Sequence, residues 1–156
     1  MTDREVRVIL PEEHYTLFNT SRQELPEVIV VNDALLTFQH TDVFPWHLDI
    51  QIDAQDFGDN GMPTPDESAA LFELGDAMQS ELVGRNALFL ARSTWNAIRE
   101  LSFRVHDPEV ADSILREMLD KKPHAREWEY RMQHDPEWHL AGYIFKLFPL
   151  ANGADA

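Results

Sequence analysis

The tetrapeptide His-Asp-Pro-Glu occurs twice, at 106–109 and at 134–137, and brings together residue types found in catalytic and metal sites. Imidazole and carboxylate groups serve as general acids and bases and as zinc ligands. The same order also begins a helix, because aspartate caps the first turn, proline fits the first position and glutamate favours the positive end of the helix dipole. Each tetrapeptide follows a strand-like segment, so we interpret Asp107 and Asp135 as helix caps and assign no catalytic residue.

A second candidate for chemistry is the acidic loop 53–59, in which Asp53, Asp56 and Asp59 recur at every third position. A calcium-binding EF-hand loop places oxygen ligands at alternate positions and ends on a bidentate glutamate. The loop lacks that alternation, so we assign no metal ligand and expect no cofactor. The chain also contains no G-x-S-x-G nucleophile motif and no glycine-rich phosphate loop.

The charge balance narrows the classes of partner. The 156 residues include 13 lysines and arginines and 28 aspartates and glutamates, which gives a formal net charge of -15. A chain this acidic repels phosphate backbones, so nucleic acid is not expected as a direct partner. Because the chain has no cysteine, no run of about 18 apolar residues and a charged N-terminal segment, we expect a cytoplasmic protein without a membrane span. Length and patterning predict a single domain over 1–150 and a flexible tail over 151–156.

Capping signals and apolar spacing predict two long helices, at 65–82 and 108–120. Thr64 lies three residues before Glu67, and both helices have proline at the first position. Alternation of apolar and polar residues predicts the strands. They are at 15–19, 28–32, 46–53, 87–94, 98–106 and 125–133.

The order of these segments predicts an α+β fold. The middle of the chain runs strand, helix, strand, strand, helix, strand, which is the ferredoxin-like βαββαβ arrangement. Right-handed crossovers put both helices on one face of a four-stranded antiparallel sheet. Strands 46–53 and 98–106 are expected at its centre and strand 87–94 at an edge. The N-terminal strand pair and a C-terminal helical segment are additions to this core.

The sheet face away from the helices is the predicted binding surface. The residues assigned to binding are Arg92, Glu100, Arg104, Glu129 and Arg131. Arginines placed among acids recognise carboxylate or amide groups of a partner, whereas the alternative interpretation is a solvated face with cross-strand ion pairs. Leu88 and Leu90 are expected on this same face, where the N-terminal strands or a partner would cover them.

Four segments carry a family resemblance. They are Asn-Gly-Met-Pro-Thr-Pro at 60–65, Arg-Ser-Thr at 92–94, Arg-Glu-Leu-Ser-Phe at 99–103 and Asp-Pro-Glu-Trp at 135–138. Together they are similar to the motifs of a bacterial family, domain of unknown function 695, over roughly residues 14 to 149. The family carries no established activity, so the resemblance implies no catalytic residue. The chain departs from the family pattern at Ala97, where a turn glycine is expected.

The resemblance also bears on function. Some members of the family are joined to a domain that resembles the ribonuclease E inhibitor B group, which are small acidic regulators that bind a protein. We therefore expect a non-enzymatic, protein-binding or regulatory module. The alternative is a small ligand- or metal-binding domain, or an enzyme, that uses the acidic loop 53–59 or the open sheet face.

Overall fold

The computed structural model describes residues 8–121 and 124–151. These residues form six strands and four helices, joined by turns. In chain order they are β1 (Tyr15–Arg22), β2 (Leu25–Asn32), β3 (Trp46–Asp53), α1 (Pro65–Leu82), β4 (Ala87–Trp95), β5 (Ile98–Val105), α2 (Pro108–Asp120), β6 (Trp128–His134), α3 (Gly142–Phe145) and α4 (Leu147–Ala151). The predicted mixed α+β class is confirmed. Of the predicted tail, Ala151 ends α4 and 152–156 lie outside the described residues.

The two long helices begin and end where their capping signals predict. The Thr64 hydroxyl accepts a hydrogen bond from the Glu67 backbone N–H at 3.3 Å, and proline occupies the first position of α1. The Asp107 carboxylate caps α2 in the same way, accepting from the Glu109 N–H at 2.9 Å. These caps satisfy N–H groups that have no partner inside the helix. The caps are local in sequence, so the helix bounds could be predicted.

All six strands join one antiparallel sheet in the order β1-β2-β4-β5-β3-β6. The central position of β3 and β5 is as predicted. The prediction that 87–94 is an edge strand is wrong, because β2 pairs with it along 28–31 and extends the sheet. The edges of the sheet are β1 and β6.

Apolar side chains pack on both faces of this sheet. On one face, α1 and α2 cover the helix-side core, which consists of Leu48, Ile50, Ile52, Leu71, Met78, Leu82, Ala87, Phe89, Leu101, Phe103, Val105, Ala111 and Leu115. The opposite face carries the far-side core, which consists of Ile29, Val31, Leu35, Phe44, Leu88, Leu90, Ala91, Trp138, Ala141 and Ile144. The far face was predicted to be an open polar surface, for binding or simply solvated, but the segment 33–44 and the residues after β6 cover part of it. They also bury Leu88 and Leu90 without a partner protein.

A bulge in β4 decides which face each later side chain of that strand occupies. Phe89 and Ala91 pair with consecutive residues of β5, which leaves Leu90 as an extra residue. Side chains alternate between faces along a strand, and one extra residue reverses the alternation after it. Leu88 and Leu90 lie in the far-side core, as simple alternation predicts, but Ala91 lies there too. Arg92 therefore lies on the helix side, against Phe72 of α1. The expectation that Arg92 shares a face with Leu88 and Leu90 is wrong for this reason.

The loop 54–64 is packed against the turn between β4 and β5. The turn residues Asn96 and Ala97 both have left-handed backbones, with φ of 50° and 64°. Such a turn matches the strand twist but favours glycine at its second position, which agrees with the glycine expected at Ala97. Gly61 approaches so closely that a Cβ there would lie 2.7 Å from the Asn96 Cα, and its carbonyl accepts from the Ala97 N–H at 2.8 Å. The contact fixes the loop beside the helix side of the sheet.

No helix among residues 8–121 and 124–151 is both long and apolar enough to cross a membrane.

Candidate functional site

Strand register shows which predicted binding residues come together. Glu100 and Glu129 are both cross-strand neighbours of Gln51 of β3, one on each side. Arg131 is the neighbour of Asp49, two residues before Gln51. These side chains share the far face of the sheet, as predicted. Of the five residues assigned to binding, Arg92 is the exception and faces the helices.

Arg104 lies on the far face but is wholly buried, with 0% of its surface exposed. Its Nη1 donates to Asp135 Oδ2 at 3.0 Å, and its Nη2 donates to the backbone carbonyl of Asp135 at 2.5 Å and to that of Phe44 at 3.3 Å. Its guanidinium also stacks 4.6 Å from the ring centroid of Trp138. Arg104 therefore fastens the segment after β6 to the sheet. Its expected place on an open charged surface is wrong, because Phe44 and Trp138 cover it.

Asp135 joins Arg104 to the backbone of the segment after β6. Its carboxylate accepts from the backbone N–H groups of His139 and Leu140 at 3.0 and 2.9 Å, as well as from Arg104. Burial by itself would raise the pKa of Asp135, but these hydrogen bonds and the Arg104 charge hold it below its ordinary value. The Asp135 carboxylate thus binds the first N–H groups of the turn His139–Ala141. The prediction that Asp135 is the N-cap of a helix beginning at Pro136 is wrong, because Pro136 lies in a turn and the helical turn begins at His139.

A chain of hydrogen bonds runs from Arg104 to the open part of the face. Arg104 Nη1 lies 3.0 Å from His47 Nδ1, and His47 Nε2 lies 3.1 Å from Asp49 Oδ1. Because a guanidinium only donates, His47 Nδ1 accepts and its Nε2–H donates to Asp49. The Ser102 hydroxyl donates to the same Asp49 oxygen at 2.8 Å. Burial opposes ionisation of Asp49, but these two hydrogen bonds help to lower its pKa, so Asp49 is an oriented carboxylate.

The pKa of Glu100 is shifted in the opposite direction from that of Asp49. Partial burial, followed by the nearby charge of Asp49, raises the pKa of Glu100. Its carboxylate accepts from Gln51 Nε2 at 3.3 Å and from the Tyr143 hydroxyl at 3.4 Å. Burial and the Glu100 charge raise the pKa of Tyr143, so this phenol remains a donor. Two carboxylates whose pKa values are pushed apart can hold an ionised acceptor and a proton carrier side by side.

We call the open part of the far face the acidic strip. It consists of Asp49, Gln51, Glu100, Glu129 and Arg131. A depression of about 300 Å³ is lined by these residues of β3 and β6 together with Tyr130. Three carboxylates face one guanidinium here, and no ion pair among the described residues involves Arg131. The strip is therefore suited to hold a cation or several N–H donors.

The acidic loop 53–59 is organised by its own hydrogen bonds. The Asp56 carboxylate accepts from the Thr64 hydroxyl at 2.9 Å, and the Asp56 carbonyl accepts from the Thr64 N–H at 3.1 Å. Within residues 8–121 and 124–151, no group of three or more histidine, aspartate or glutamate side chains is placed to hold a metal ion. Asp56 therefore has a structural contact that its spacing in the sequence did not reveal.

Sequence reasoning missed two residues that shape the strip. Tyr143 closes one end of it and lines a small cavity of about 70 Å³ next to Glu100. Trp138 covers Arg104 and donates from its indole N–H to the Thr41 carbonyl at 2.9 Å. Both residues lie in the segment after β6, and their apolar type was the available signal that this segment packs on the sheet.

The protein is an α+β domain with a six-stranded antiparallel sheet, its two long helices on one face, and a far face that the chain covers in part and leaves open at the acidic strip. The chain belongs to a family of unknown function, DUF695, whose family model matches residues 13–144. The membership predicted from the four motif segments is confirmed. The chain matches no curated protein and no solved structure.

Proposed function

We propose that the chain is a non-enzymatic binding module whose acidic strip takes a basic segment of a partner protein. The observation that carries the proposal is the contrast within the far face. The chain covers part of this face with its own segments and leaves the strip open around a depression of about 300 Å³. A surface left open beside a built cover is suited to an external partner.

The chemistry of the strip favours a basic partner. Asp49 is held ionised and oriented by His47 and Ser102, and Glu100 and Glu129 lie beside it. The net charge of -15 adds a long-range field that attracts cations and raises association rates. The predicted site residues Glu100, Glu129 and Arg131 remain in the proposed site, whereas Arg104 supports it from below.

The test measures the affinity of the chain for a short synthetic peptide of alternating lysine and alanine, by calorimetry or by fluorescence anisotropy. The double variant Glu100→Gln, Glu129→Gln removes two charges from the strip and keeps the side-chain size. We expect about tenfold weaker binding, which is about 1.4 kcal/mol. The matched control is Glu73→Gln, Glu117→Gln, which removes two charges from exposed positions on α1 and α2. Equal losses in both variants would mean that only net charge attracts the peptide.

A second candidate function, a small-ligand site or an enzyme on the same strip, is favoured by the opposed pKa shifts of Asp49 and Glu100. A thermal-shift screen with metal ions and metabolites distinguishes the two. A specific ligand well above its Kd stabilises a protein by a few kcal/mol. A ligand that shifts the wild type but not Glu100→Gln would replace the protein-binding proposal with this one.

We also infer that the segment from β3 to β6 is a ferredoxin-like unit. The spatial order β4-β5-β3-β6 and the helix-side core shared by α1 and α2 support this inference. An experimental structure with α1 and α2 on opposite faces would contradict it.

The proposed function also includes four predictions made from the sequence. They are a cytoplasmic location, a bacterial source, no direct contact with nucleic acid, and a regulatory role like that of the ribonuclease E inhibitor B group. The acidic composition supports the third of these, because like charges repel phosphate backbones. Binding of the wild type to single- or double-stranded nucleic acid at physiological salt would contradict it.

A further inference from the structure

The two N-terminal strands extend the sheet beyond the helices and leave a step on the helix side. Val28 and Val30 of β2 are only half-buried on this side, whereas their far-side neighbours Ile29 and Val31 are 4% and 0% exposed. Leu17 of β1 is 58% exposed on the same side. Helices α1 and α2 pack over the other four strands, so the step opens beside α1.

The step contains a pocket of about 260 Å³ with apolar walls. Leu17, Val28 and Val30 line it from the sheet, and Phe72 of α1, which is 40% exposed, lines it from the helix. The loop that Gly61 fixes to the β4–β5 turn contributes Met62 and Pro63. We call this site the arginine pocket, after the two cationic residues that also line it.

Those residues are Arg92 of β4 and Arg99 of β5. Their guanidinium carbons lie 4.7 and 4.6 Å from the centroid of the same Phe72 ring. The two positive charges are therefore neighbours in a partly desolvated place. Burial, followed by repulsion from Arg92, lowers the pKa of Arg99 to about 10. Burial also lowers the pKa of Arg92, although the charge of Asp76 acts in the opposite direction.

No carboxylate neutralises this pair in the described part of the chain. None of the ion pairs there involves Arg92 or Arg99. Arg99 is 3% exposed, and its Nε donates to the Thr94 hydroxyl at 3.0 Å, but its Nη1 has no hydrogen-bond partner within residues 8–121 and 124–151. A buried guanidinium without a counter-charge is costly. The described part of an acidic chain thus leaves two neighbouring cations in a pocket without an ion-pair partner, which points to an anionic ligand.

We propose that the arginine pocket binds a small organic carboxylate, whose charge lies on Arg92 and Arg99 and whose apolar part packs against Phe72 and the β2 valines. Guanidinium groups bind carboxylates through two parallel hydrogen bonds. Ligand sites typically combine apolar walls with a few polar groups that fix orientation. The apolar walls favour a carboxylic acid with a hydrocarbon group over inorganic phosphate. The pocket lies on the face opposite the acidic strip, so this proposal does not rest on the proposed function.

The test uses four probes on the full chain: benzoate, hexanoate, benzyl alcohol and inorganic phosphate. We expect both carboxylates to raise the melting temperature progressively at millimolar concentration, as ligands of the folded state do. Benzyl alcohol lacks the charge and phosphate lacks the apolar group, so both should give smaller shifts. NMR spectra should show the methyl signals of Val28 and Val30 moving with benzoate, while that of the exposed Val110 on α2 stays in place.

Two variants assign the effect to the arginines. Arg92→Gln should weaken benzoate binding about tenfold, and Arg99→Met should abolish it. Arg85→Gln removes one charge from an exposed arginine elsewhere and should leave benzoate binding unchanged. Because no carboxylate of the described residues forms an ion pair with Arg99, Arg99→Met should melt close to or above the wild type in the absence of a ligand. If it nevertheless fails to fold, Arg92→Gln with Phe72→Ala gives the same test.

Three results would overturn the proposal. The first is that neither carboxylate shifts the melting temperature at millimolar concentration. The second is that benzyl alcohol or phosphate shifts the melting temperature as much as the carboxylates do. The pocket would then bind an apolar group or an anion alone, and not a ligand that has both. The third is a benzoate shift that persists in Arg92→Gln and in Arg99→Met, which would place the carboxylate elsewhere.

Discussion

Strand β5 carries two buried arginines, Arg99 and Arg104, on opposite faces of the sheet. Four acceptors surround the terminal nitrogens of Arg104: the Asp135 carboxylate, two backbone carbonyls and the His47 ring. Arg99 has one hydroxyl acceptor, a neighbouring arginine and no ion pair with a carboxylate of the described residues. Within those residues each arginine also has one buried nitrogen without a partner, Nε of Arg104 and Nη1 of Arg99, so the difference between them is the counter-charge. The two residues have the same chemistry and similar burial, so the difference lies in their surroundings.

That difference separates two uses of a buried cation. A guanidinium that is paired with a carboxylate and with backbone carbonyls holds segments of the chain together, and removing it leaves those acceptors unpaired. A guanidinium without a counter-charge adds little to folding, and its cost is offset only when an anion arrives. We therefore place Arg104 in the architecture of the far face and Arg99 in a binding pocket.

The largest expected effect is the contrast between Arg104→Met and Arg99→Met. Arg104→Met leaves Asp135 without its counter-charge and should lower the free energy of unfolding by about 3–5 kcal/mol. Arg99→Met should change it by less than about 1 kcal/mol or raise it. Urea denaturation of both variants at neutral pH measures the two values. Equal losses in the free energy of unfolding would show that Arg99, like Arg104, stabilises the fold.

A smaller effect isolates the partner of Arg104. Asp135→Asn keeps the shape but removes the charge, and should cost about 2 kcal/mol at neutral pH, because the hydrogen bond to Arg104 is charge-assisted. The folded pKa of Asp135 lies below its ordinary value of 3.8. Its stabilisation is therefore present above that value and is lost as pH falls through the folded pKa.

The measurement is the free energy of unfolding of wild type and Asp135→Asn, followed from about pH 5 to about pH 2. The difference between the two proteins should shrink as the pH falls, because Asp135 becomes protonated in the wild type. A difference that stays constant over this range would mean that the charge of Asp135 does not stabilise the fold. Other acids titrate in the same range, but they are common to both proteins and cancel in the difference.

These contrasts also show what the sequence could predict. The caps at Thr64 and Asp107 depend on contacts within three residues, and the bounds of α1 and α2 were correct. The bulge at Leu90 depends on pairing with β5, so the face of Arg92 could not be read from alternation. The burial of Arg104 depends on Trp138, which is far along the chain. The positions of Glu100, Glu129 and Arg131 on the acidic strip were predictable, because these residues follow regular alternation on strands without bulges.

The two His-Asp-Pro-Glu tetrapeptides have aspartates with different roles. Asp107 caps α2 at an exposed position, whereas Asp135 caps a turn and also binds Arg104. Asp107→Ala should therefore cost only about 1 kcal/mol, the typical value of an N-cap. Thermal and urea unfolding measure it beside Asp135→Asn. The account of Asp107 as a simple cap is wrong if its replacement costs as much as that of Asp135, or if a folded variant loses peptide binding.

The smallest effect on stability is expected at Arg131, the exposed cation of the acidic strip. No ion pair among the described residues involves it, so Arg131→Gln should change the free energy of unfolding by less than about 0.5 kcal/mol. Its charge nevertheless opposes a basic ligand beside Asp49. Removing that charge should strengthen binding of the lysine–alanine peptide by up to about fivefold, the range of exposed charge interactions. Calorimetry at low and high salt measures this gain in peptide affinity and tests whether it is electrostatic, since salt screening should reduce an electrostatic gain. Weaker peptide binding by Arg131→Gln would mean that the strip recognises acceptor groups of a partner through this arginine, and not a basic segment.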